Sequence, residues 1–257
     1  MGAKSFLLLT AAVIVPQAAL SQDLFELDEA FVFSGLLPVE VNRTGSTVEI
    51  VDGEDLAAAE VGVENTLDRL PGVSVTSNGG LGTSSSVRIR GLDGKYIGVT
   101  IDGIEVTDPS SIQNSLNFGS FTRGLVNRIE LAKGTQTTVY GSDAIAGSVN
   151  LTTWRPEADG RSGEYAVEAG SYGTASGRLS FGHRDETGEV AVTLSRVQSD
   201  GFSAVPTVAA GDADSFEETG LTFSLRRNLS DTTTVGVTGF FTDGSSFAFR
   251  FGAVYKA

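Results

Sequence analysis

The chain has 257 residues, a formal net charge of −14, 32 glycines, 6 prolines and no cysteine. Its acidic balance opposes binding to nucleic acid, whose phosphates attract clustered Lys and Arg side chains. The absence of Cys excludes disulfides, thiolate metal sites and cysteine nucleophiles.

The first 21 residues carry the parts of a secretory signal peptide. Lys4 gives a positive start, Phe6 to Val15 form an apolar run, and Ala19-Leu20-Ser21 places small residues before a cleavage site. The apolar run is shorter than the roughly 20 residues that span a membrane as a helix. We therefore predict cleavage before Gln22, with a retained membrane anchor as the alternative.

Residues 22–43 are predicted to be a linker that contains one short extended patch. The patch, Ala30-Phe31-Val32-Phe33, has strand character but no neighbouring strand with which to pair. It is either a linker with incidental apolar residues or a recognition strand that adds itself to a partner's sheet.

Residues 44–156 change to short mixed elements and predict a compact α+β domain. Strands are predicted at Val48–Val51, Val73–Thr76, Val87–Gly91 and Ile97–Ile101, and helices at Gly53–Glu60 and Glu64–Leu70. The pair Asp102-Gly103 closes the last of these strands as a turn signal.

Two stretches of small polar residues, Ser77–Ser86 and Asp108–Ser115, are predicted to be exposed loops. The first lacks a Lys-Ser or Lys-Thr pair after its glycines, which disfavours a phosphate-binding loop. Exposed hydroxyl and amide groups suit a polar ligand, and a plain linker is the alternative.

Two segments alternate apolar and charged residues, Val87–Gly91 and Arg128–Leu131. A strand of this kind covers a core with one face and presents guanidinium groups to an acidic partner with the other. The alternative is that the charged face is simply exposed to water, which explains one such strand more readily than two.

Residues 157–257 alternate with a period of two in about six segments. Large apolar residues alternate with Gly, Ala, Ser and Thr, and short turns at Ser171–Gly173 and Asp185–Gly188 contrast with a long connection at Ser199–Phe216. Apolar-out and small-in strands are typical of an outer-membrane β-barrel. A soluble sandwich would carry a bulkier inner row.

Several of these motifs resemble, in order and spacing, the plug signatures of TonB-dependent outer-membrane receptors. They are Val87–Gly91, Ile101–Gly103, Arg128–Leu131 and the run from Tyr140 to Asn150, which is most similar to the cobalamin-receptor branch. The resemblance implies an α+β plug followed by antiparallel transmembrane strands of a barrel that has about 22 strands in the family. It also implies a monomer in the outer membrane, in contact with its lipid.

In the same family, a TonB box follows the signal peptide and pairs as an added strand with the C-terminal domain of TonB. The resemblance assigns that role to Asp28, Glu29, Ala30, Phe31, Val32, Phe33 and Ser34. Ala30 stands where Ile or Val is usual, and Ala132-Lys133-Gly134-Thr135 replaces the usual Leu-Arg-Gly-Pro. These departures concern coupling and plug packing and leave the class unchanged.

Candidate site residues also follow from the resemblance. Ligand contacts are expected at plug apices, from Asn78, Leu81, Thr83, Asp108, Ser110, Gln113 and Asn114. Ion pairing between plug and barrel is expected from Arg88, Arg90, Arg128 and Glu130.

A calcium site is one interpretation of the acidic residues in the long connection. Asp200, Asp212, Asp214, Glu217 and Glu218 lie where cobalamin receptors carry calcium-binding carboxylates. Oxygen ligands on a loop suit calcium, whereas a merely solvated acidic loop is the alternative.

The expected function is therefore TonB-energised import of a scarce nutrient to the periplasm, with a cobalamin-type corrinoid as the leading ligand. A ferric-siderophore receptor and a ligand-binding plug protein without transport are the alternatives. An enzyme is not expected, because no set of nucleophile, base and orienting group is visible, and no cofactor besides calcium is expected. About six strands are fewer than those of the smallest barrels, so we expect a fragment of a longer receptor or the product of a disrupted gene.

Overall fold

In a computed structural model, the described residues are 31–32, 39–40, 45–106, 115–203, 213–242 and 246–255, with side chains described for 45–106, 115–203 and 213–242. A small mixed domain, the plug, packs against one face of a six-stranded antiparallel sheet, the wall sheet. This arrangement confirms the predicted fold class of an α+β plug followed by antiparallel strands.

Before the plug, two short strands pair with each other. These are β1 (Phe31–Val32) and β2 (Val39–Glu40), which are antiparallel with Val32 opposite Val39. The plug strands that follow are β3 (Thr47–Val51), β4 (Val73–Ser77), β5 (Ser85–Ile89), β6 (Ile97–Ile101), β7 (Ile104–Glu105), β8 (Arg128–Lys133) and β9 (Gly147–Thr152). The plug helices are α1 (Gly53–Ala58), α2 (Val63–Asp68) and α3 (Thr137–Tyr140). None of the helices in the described ranges is both long and apolar enough to cross a membrane.

The plug is built on a five-stranded sheet with strand order β3-β8-β9-β6-β7, beside a separate β4–β5 hairpin. Strands β6 and β9 run parallel, and the other pairs are antiparallel. The predicted alternation is confirmed in β5, where Val87 and Ile89 are fully buried. Ile129 and Leu131 of β8 are buried in the same core, so both Arg-bearing strands cover it with their apolar faces.

Both helices of the N-terminal half are shorter than predicted. Helix α1 begins where the Asp52 carboxylate accepts hydrogen bonds from the backbone N–H groups of Glu54 and Asp55, each at 3.1 Å. Such a cap satisfies donors that have no partner within the helix. Helix α1 ends at Ala58, because the chain is already extended at Ala59. Helix α2 ends before Pro71 and Gly72, as expected for these helix-terminating residues.

The run from Tyr140 to Thr153 is a turn that leads into a buried strand. Gly141 ends α3 with a φ of +82°. Strand β9 begins at Gly147, where the backbone lies directly against β8. A Cβ atom on Gly147 would lie 2.3 Å from the carbonyl oxygen of Ala132. A larger residue at position 147 would therefore push β8 and β9 apart.

The wall sheet is a simple antiparallel succession of neighbours. Its strands are β10 (Gly160–Ala169), β11 (Ala175–Asp185), β12 (Gly188–Ser199), β13 (Phe216–Ser230), β14 (Thr233–Thr242) and β15 (Ser246–Tyr255). Two-residue turns join β11 to β12 and β13 to β14 at one end, which we call the turn end. Residues 170–174 and 200–215 connect strands at the opposite end, which we call the loop end.

The two faces of the wall sheet differ as the sequence predicts. Large apolar side chains project away from the plug, among them Tyr165 and Val167, which are 82% and 85% exposed. The face against the plug carries small buried residues, namely Ser180, Ala191, Thr193, Ser195, Thr222 and Ser224. An apolar outer row with a small polar inner row is the pattern of transmembrane barrel strands.

The carboxyl group of Glu64 is buried inside the plug. Glu64 of α2 is 4% exposed, and its Oε2 atom has no hydrogen-bond partner among the described residues. Burial raises the pKa of Glu64 from 4.5 to about 7, because the charged form loses its hydration.

The raised pKa of Glu64 predicts a pH-dependent plug. The folded plug holds the proton more tightly than the unfolded chain, so the stabilisation present below pH 4.5 is lost as the pH rises through about 7. The full effect is roughly 3 kcal/mol. We expect Glu64→Gln to flatten this pH dependence, measured by native-state hydrogen exchange of the α2 amides at pH 5 and pH 8. The exposed control Glu54→Gln should keep it, and equal slopes in both variants would contradict the prediction.

Candidate functional site at the plug–wall interface

A short stretch of the plug, residues 121–126, lies against the wall sheet and is here called the docking segment. Phe121, Thr122, Leu125 and Val126 of this segment are buried. Its backbone is also tied to the start of α2, because the Val63 N–H donates to the Phe121 carbonyl at 3.1 Å. The docking segment therefore connects the plug core with the wall.

Arg123 in this segment has partners on both sides of the interface. Its Nη1 donates to three backbone carbonyls at the end of α1, those of Leu56 at 2.9 Å, Ala57 at 2.7 Å and Ala59 at 2.7 Å. Its Nη2 forms an ion pair with Glu168 on β10. Burial, and then the neighbouring guanidinium of Arg178, lower the pKa of Arg123 from its ordinary value. Helix α1 has no basic residue in its own last turn, so Arg123 supplies the cation that its carbonyl end favours.

Close approach continues along the rest of the docking segment. The Thr122 hydroxyl donates to the buried carboxylate of Glu218 on β13 at 2.6 Å. A Cβ atom on Gly124 would lie 2.8 Å from the Cβ of Ser195, and one on Gly220 would lie 2.3 Å from Leu125. Glycines on both sides thus allow the two backbones to approach each other.

A second attachment lies at the turn Asp102-Gly103. The side chain of Asp102 is 3% exposed, and its Oδ1 pairs with Arg155 at 3.0 Å. Its Oδ2 accepts from the hydroxyls of Thr153 at 2.6 Å and of Thr238 on β14 at 3.2 Å. Arg155 in turn contacts Glu189 on β12 at 3.4 Å. Glu189 also pairs with Arg226 on β13 at 3.6 Å, so this network ties the plug to three neighbouring wall strands.

A cleft of about 480 Å³ separates α1 and the docking segment from strands β10 to β12. Its plug side includes Leu56, Ala57 and Arg123, and its wall side includes Glu168 and Ser176. Charged groups of both the plug and the wall therefore line this cleft.

The predicted ligand-binding residues of the first loop lie at the loop end. Asn78 is exposed, whereas Leu81 and Thr83 are half-buried. The loop is held by its own hydrogen bonds, including that from the Thr83 hydroxyl to the Gly80 carbonyl at 2.7 Å. Asp108, Ser110, Gln113 and Asn114 lie outside the described residues, so the second predicted apex stays a prediction.

Aromatic side chains of the wall cover this plug loop. The Phe202 ring lies 3.3 Å from the Cβ position of Gly80, and Phe216 packs directly on Gly82. Phe202 also contacts Tyr172, with ring centroids 5.1 Å apart. These aromatic residues were not predicted as site residues, because neither the alternating strand pattern nor the long connection distinguishes them.

Two of the acidic residues predicted to bind calcium, Glu217 and Glu218, lie on opposite faces of β13. Glu218 points toward the plug, whereas Glu217 is exposed and pairs with Arg196 on β12. Within residues 45–106, 115–203 and 213–242, no group of three metal-binding side chains comes together. Asp212 lies outside the described residues, and Asp200 and Asp214 are both exposed near the loop end.

The residues predicted to pair plug with barrel make their described contacts elsewhere. Arg88 donates to the Thr76 hydroxyl at 3.2 Å within the β4–β5 hairpin, and Arg90 is exposed. Arg128 pairs with Glu130 on the same plug strand at 3.0 Å. The ion pairs described between the plug and strands β10 and β12 involve Arg123 and, through Arg155 at the end of the plug, Asp102. Asp102 was visible in the sequence only as a turn residue, and no periodic pattern surrounds Arg123.

Of the segment predicted to bind TonB, Phe31 and Val32 form β1 and pair through their backbone with β2. The remaining residues of that segment, Asp28, Glu29, Ala30, Phe33 and Ser34, lie outside the described residues. The predicted cleavage before Gln22 lies outside them as well. The strand character predicted for this patch is therefore present at its two described positions.

Residues 40–148 match the family described as TonB-dependent Receptor Plug Domain. The chain is also similar to the vitamin B12 transporter BtuB of Photobacterium profundum, with 27% identity over 243 residues. That similarity covers 92% of this chain but 39% of the transporter, so the chain spans well under half of that relative's length.

Two solved structures show the same fold. The ferripyoverdine receptor of the outer membrane of Pseudomonas aeruginosa has a TM-score of 0.63 at 15% identity, over 83% of this chain and 27% of the receptor. The siderophore receptor PirA from Acinetobacter baumannii has a TM-score of 0.59 at 18% identity, over 81% of this chain and 32% of PirA. At these identities the similarity concerns the fold alone.

Proposed function

We propose that the chain is part of a TonB-dependent receptor that serves TonB-energised uptake of a scarce nutrient across the outer membrane. The match of residues 40–148 to the plug-domain family and the similarity of the fold support this proposal. The observation that carries this proposal is the plug docked on the small-residue face of the wall strands. Its polar apex loop lies at the loop end, and a short strand precedes it in the chain. Such an arrangement provides a surface for a ligand at the loop end and a binding segment for an energising partner in the N-terminal part of the chain.

We propose a cobalamin-type corrinoid as the ligand. The similarity to a vitamin B12 transporter over nearly the whole chain supports this choice. Charge supports it too, because residues 199–218 contain five acidic residues and no Lys or Arg. Such a segment repels a polyanionic ferric chelate but tolerates a ligand with little net charge.

A ferric siderophore is the second candidate. It is favoured by the fold similarity to the ferripyoverdine receptor and to PirA. The two candidates differ in the electrostatics that they require at the loop end, because an anionic chelate needs cationic side chains there. A plug protein that binds ligand without transport remains the alternative in which the N-terminal strand has no partner.

Calorimetry of the receptor, expressed from its complete gene, tests the ligand. We expect cyanocobalamin to bind with measurable heat and a ferric catecholate to give none. Binding of the catecholate without binding of the corrinoid would replace the first candidate by the second. Retained binding without TonB-dependent uptake would favour the non-transporting protein.

We propose that Asp200, Asp212 and Asp214 of the long connection are ligands of calcium, because Glu217 and Glu218 lie on opposite faces of β13. If they ligate calcium, chelation should weaken corrinoid binding and Asp214→Asn should remove most of that sensitivity. Asp231→Asn at the turn end is the matched control. Equal corrinoid binding with and without the chelator would show that the acidic loop is only solvated and binds no calcium.

A further inference from the structure

Helix α1 is held in the plug by few side chains. Leu56 is the one buried residue of its six, and the end of the helix rests on Arg123. Strand β3, which precedes α1, lies at the edge of the plug sheet and pairs with β8 alone. In chain order, β3 and α1 are the first elements of the plug after the N-terminal segment. Each contacts the rest of the plug through only one of its sides.

Arg123 links this N-terminal part of the plug to the wall. Three of its four described acceptors are carbonyl oxygens at the end of α1, and the fourth is the Glu168 carboxylate on β10. The guanidinium fork fixes all of these directions at once, which the point charge of a Lys would not do. A displacement of α1 therefore removes most of the partners of a largely buried cation.

The same residue borders the cleft between plug and wall. Leu56 and Ala57 of α1, Arg123, and Glu168 of β10 all line it. Ser176 on the neighbouring wall strand β11 also lines it, and its hydroxyl donates to Glu168 at 3.4 Å. Movement of α1 and loss of the Arg123–Glu168 pair would thus both widen this cleft.

We propose that Arg123 is a positioning residue that keeps this cleft from widening and couples the position of α1 to the wall strand β10. This inference rests on the proposed function, because it takes the N-terminal segment as the place where the energising partner acts. While α1 is in place, its carbonyls and Glu168 hold the guanidinium across the cleft. When α1 moves, the guanidinium loses its carbonyl partners, and the tie between plug and wall is released.

A cysteine reporter tests this role, because the chain contains no native Cys. Ser176→Cys is nearly isosteric and places a thiol on the wall side of the cleft. Its rate of modification by a small charged thiol reagent is measured in cells, in the receptor expressed from its complete gene. In the resting receptor we expect slow modification, and in the presence of ligand and TonB a faster one.

Adding Arg123→Gln to this background should raise the resting rate about tenfold, as expected when hydrogen bonds of a charged group are lost. Arg123→Lys should give an intermediate rate, because it retains the charge for Glu168 but not the fork. The matched control is Arg69→Gln, which removes an exposed plug arginine whose partner Glu60 is 3.1 Å away. Glu168→Gln should also raise the rate while leaving the α1 contacts intact.

The outcomes separate this inference from the proposed function. If uptake depends on TonB and the Arg123→Gln rate equals that of Arg69→Gln, the role of Arg123 is overturned while the function stands. If uptake is independent of TonB, the proposed function itself is overturned. Faster modification of the cysteine at position 176 in Arg123→Gln, together with unchanged ligand affinity, supports the positioning role of Arg123. Unchanged affinity also excludes general unfolding of the plug.

Discussion

Deleting Ala30 to Ser34 is expected to abolish energised uptake while ligand affinity stays unchanged. The segment contains β1, whose backbone forms strand pairs in the structure. A partner that recognises it by strand addition depends on those backbone groups, so deletion removes the whole interaction. Ligand contacts, by contrast, are proposed at the loop end. Uptake of labelled corrinoid with and without TonB, together with calorimetry, measures both quantities.

Substitutions at one position sharpen this experiment. Val32→Pro removes a backbone donor and should abolish uptake, since proline cannot complete a strand ladder. Val32→Ala keeps the backbone and should retain most of the uptake. Full uptake in the deletion would contradict the TonB-binding role of the segment, and equal loss in the two Val32 variants would point to the side chain. Cross-linking from position 32 to TonB provides an independent readout.

Replacing Asp102 by Ala is expected to destabilise the attachment of plug to wall by roughly 3–5 kcal/mol, the usual cost of removing one partner of a buried ion pair. The carboxylate accepts hydrogen bonds from Thr153 and Thr238 and pairs with Arg155. Without it, Arg155 keeps Glu189 at 3.4 Å but loses its closest described partner. Hydrogen exchange of the β6 and β9 amides in the purified receptor measures the loss.

Asp102→Asn separates charge from geometry. Asp102 has a φ of +49°, a conformation that Asn tolerates better than Ala. The Asn variant keeps an acceptor for the threonine hydroxyls, so we expect a smaller loss of about 1–3 kcal/mol. Asp143→Asn, at an exposed plug residue, should leave exchange unchanged. An Ala variant as stable as this control would show that the network contributes nothing to docking.

The parts of the fold that could be read from the sequence are those set by local patterns. Alternation placed Val87 and Ile89 in the core and the large apolar row of the wall sheet on its outer face, and both are confirmed. The predicted start of the first helix at Gly53 is confirmed, whereas α2 ends at Asp68, two residues before the predicted Leu70. Helix α3 was missed because its four residues, Thr137 to Tyr140, are too short to show a period.

The docking contacts could not be read in the same way, because they join residues far apart in the chain. Arg123 lies 67 positions from Leu56, Thr122 lies 96 from Glu218, and Asp102 lies 136 from Thr238. No local period encodes such pairs. Ion pairing between plug and barrel was predicted for Arg88 and Arg128, which do lie in alternating strands. Their described partners lie inside the plug.

The pairing of β1 with β2 bears on how the N-terminal strand meets any partner. Val32 is opposite Val39, so one edge of β1 is already occupied by the chain itself. A strand that adds to the other edge extends this ribbon, whereas one that takes the place of β2 competes with it. In the second case the apparent dissociation constant equals the intrinsic one divided by the fraction of unpaired β1. The β1–β2 pairing would then raise the partner concentration needed for half-saturation and so would weaken binding of the partner.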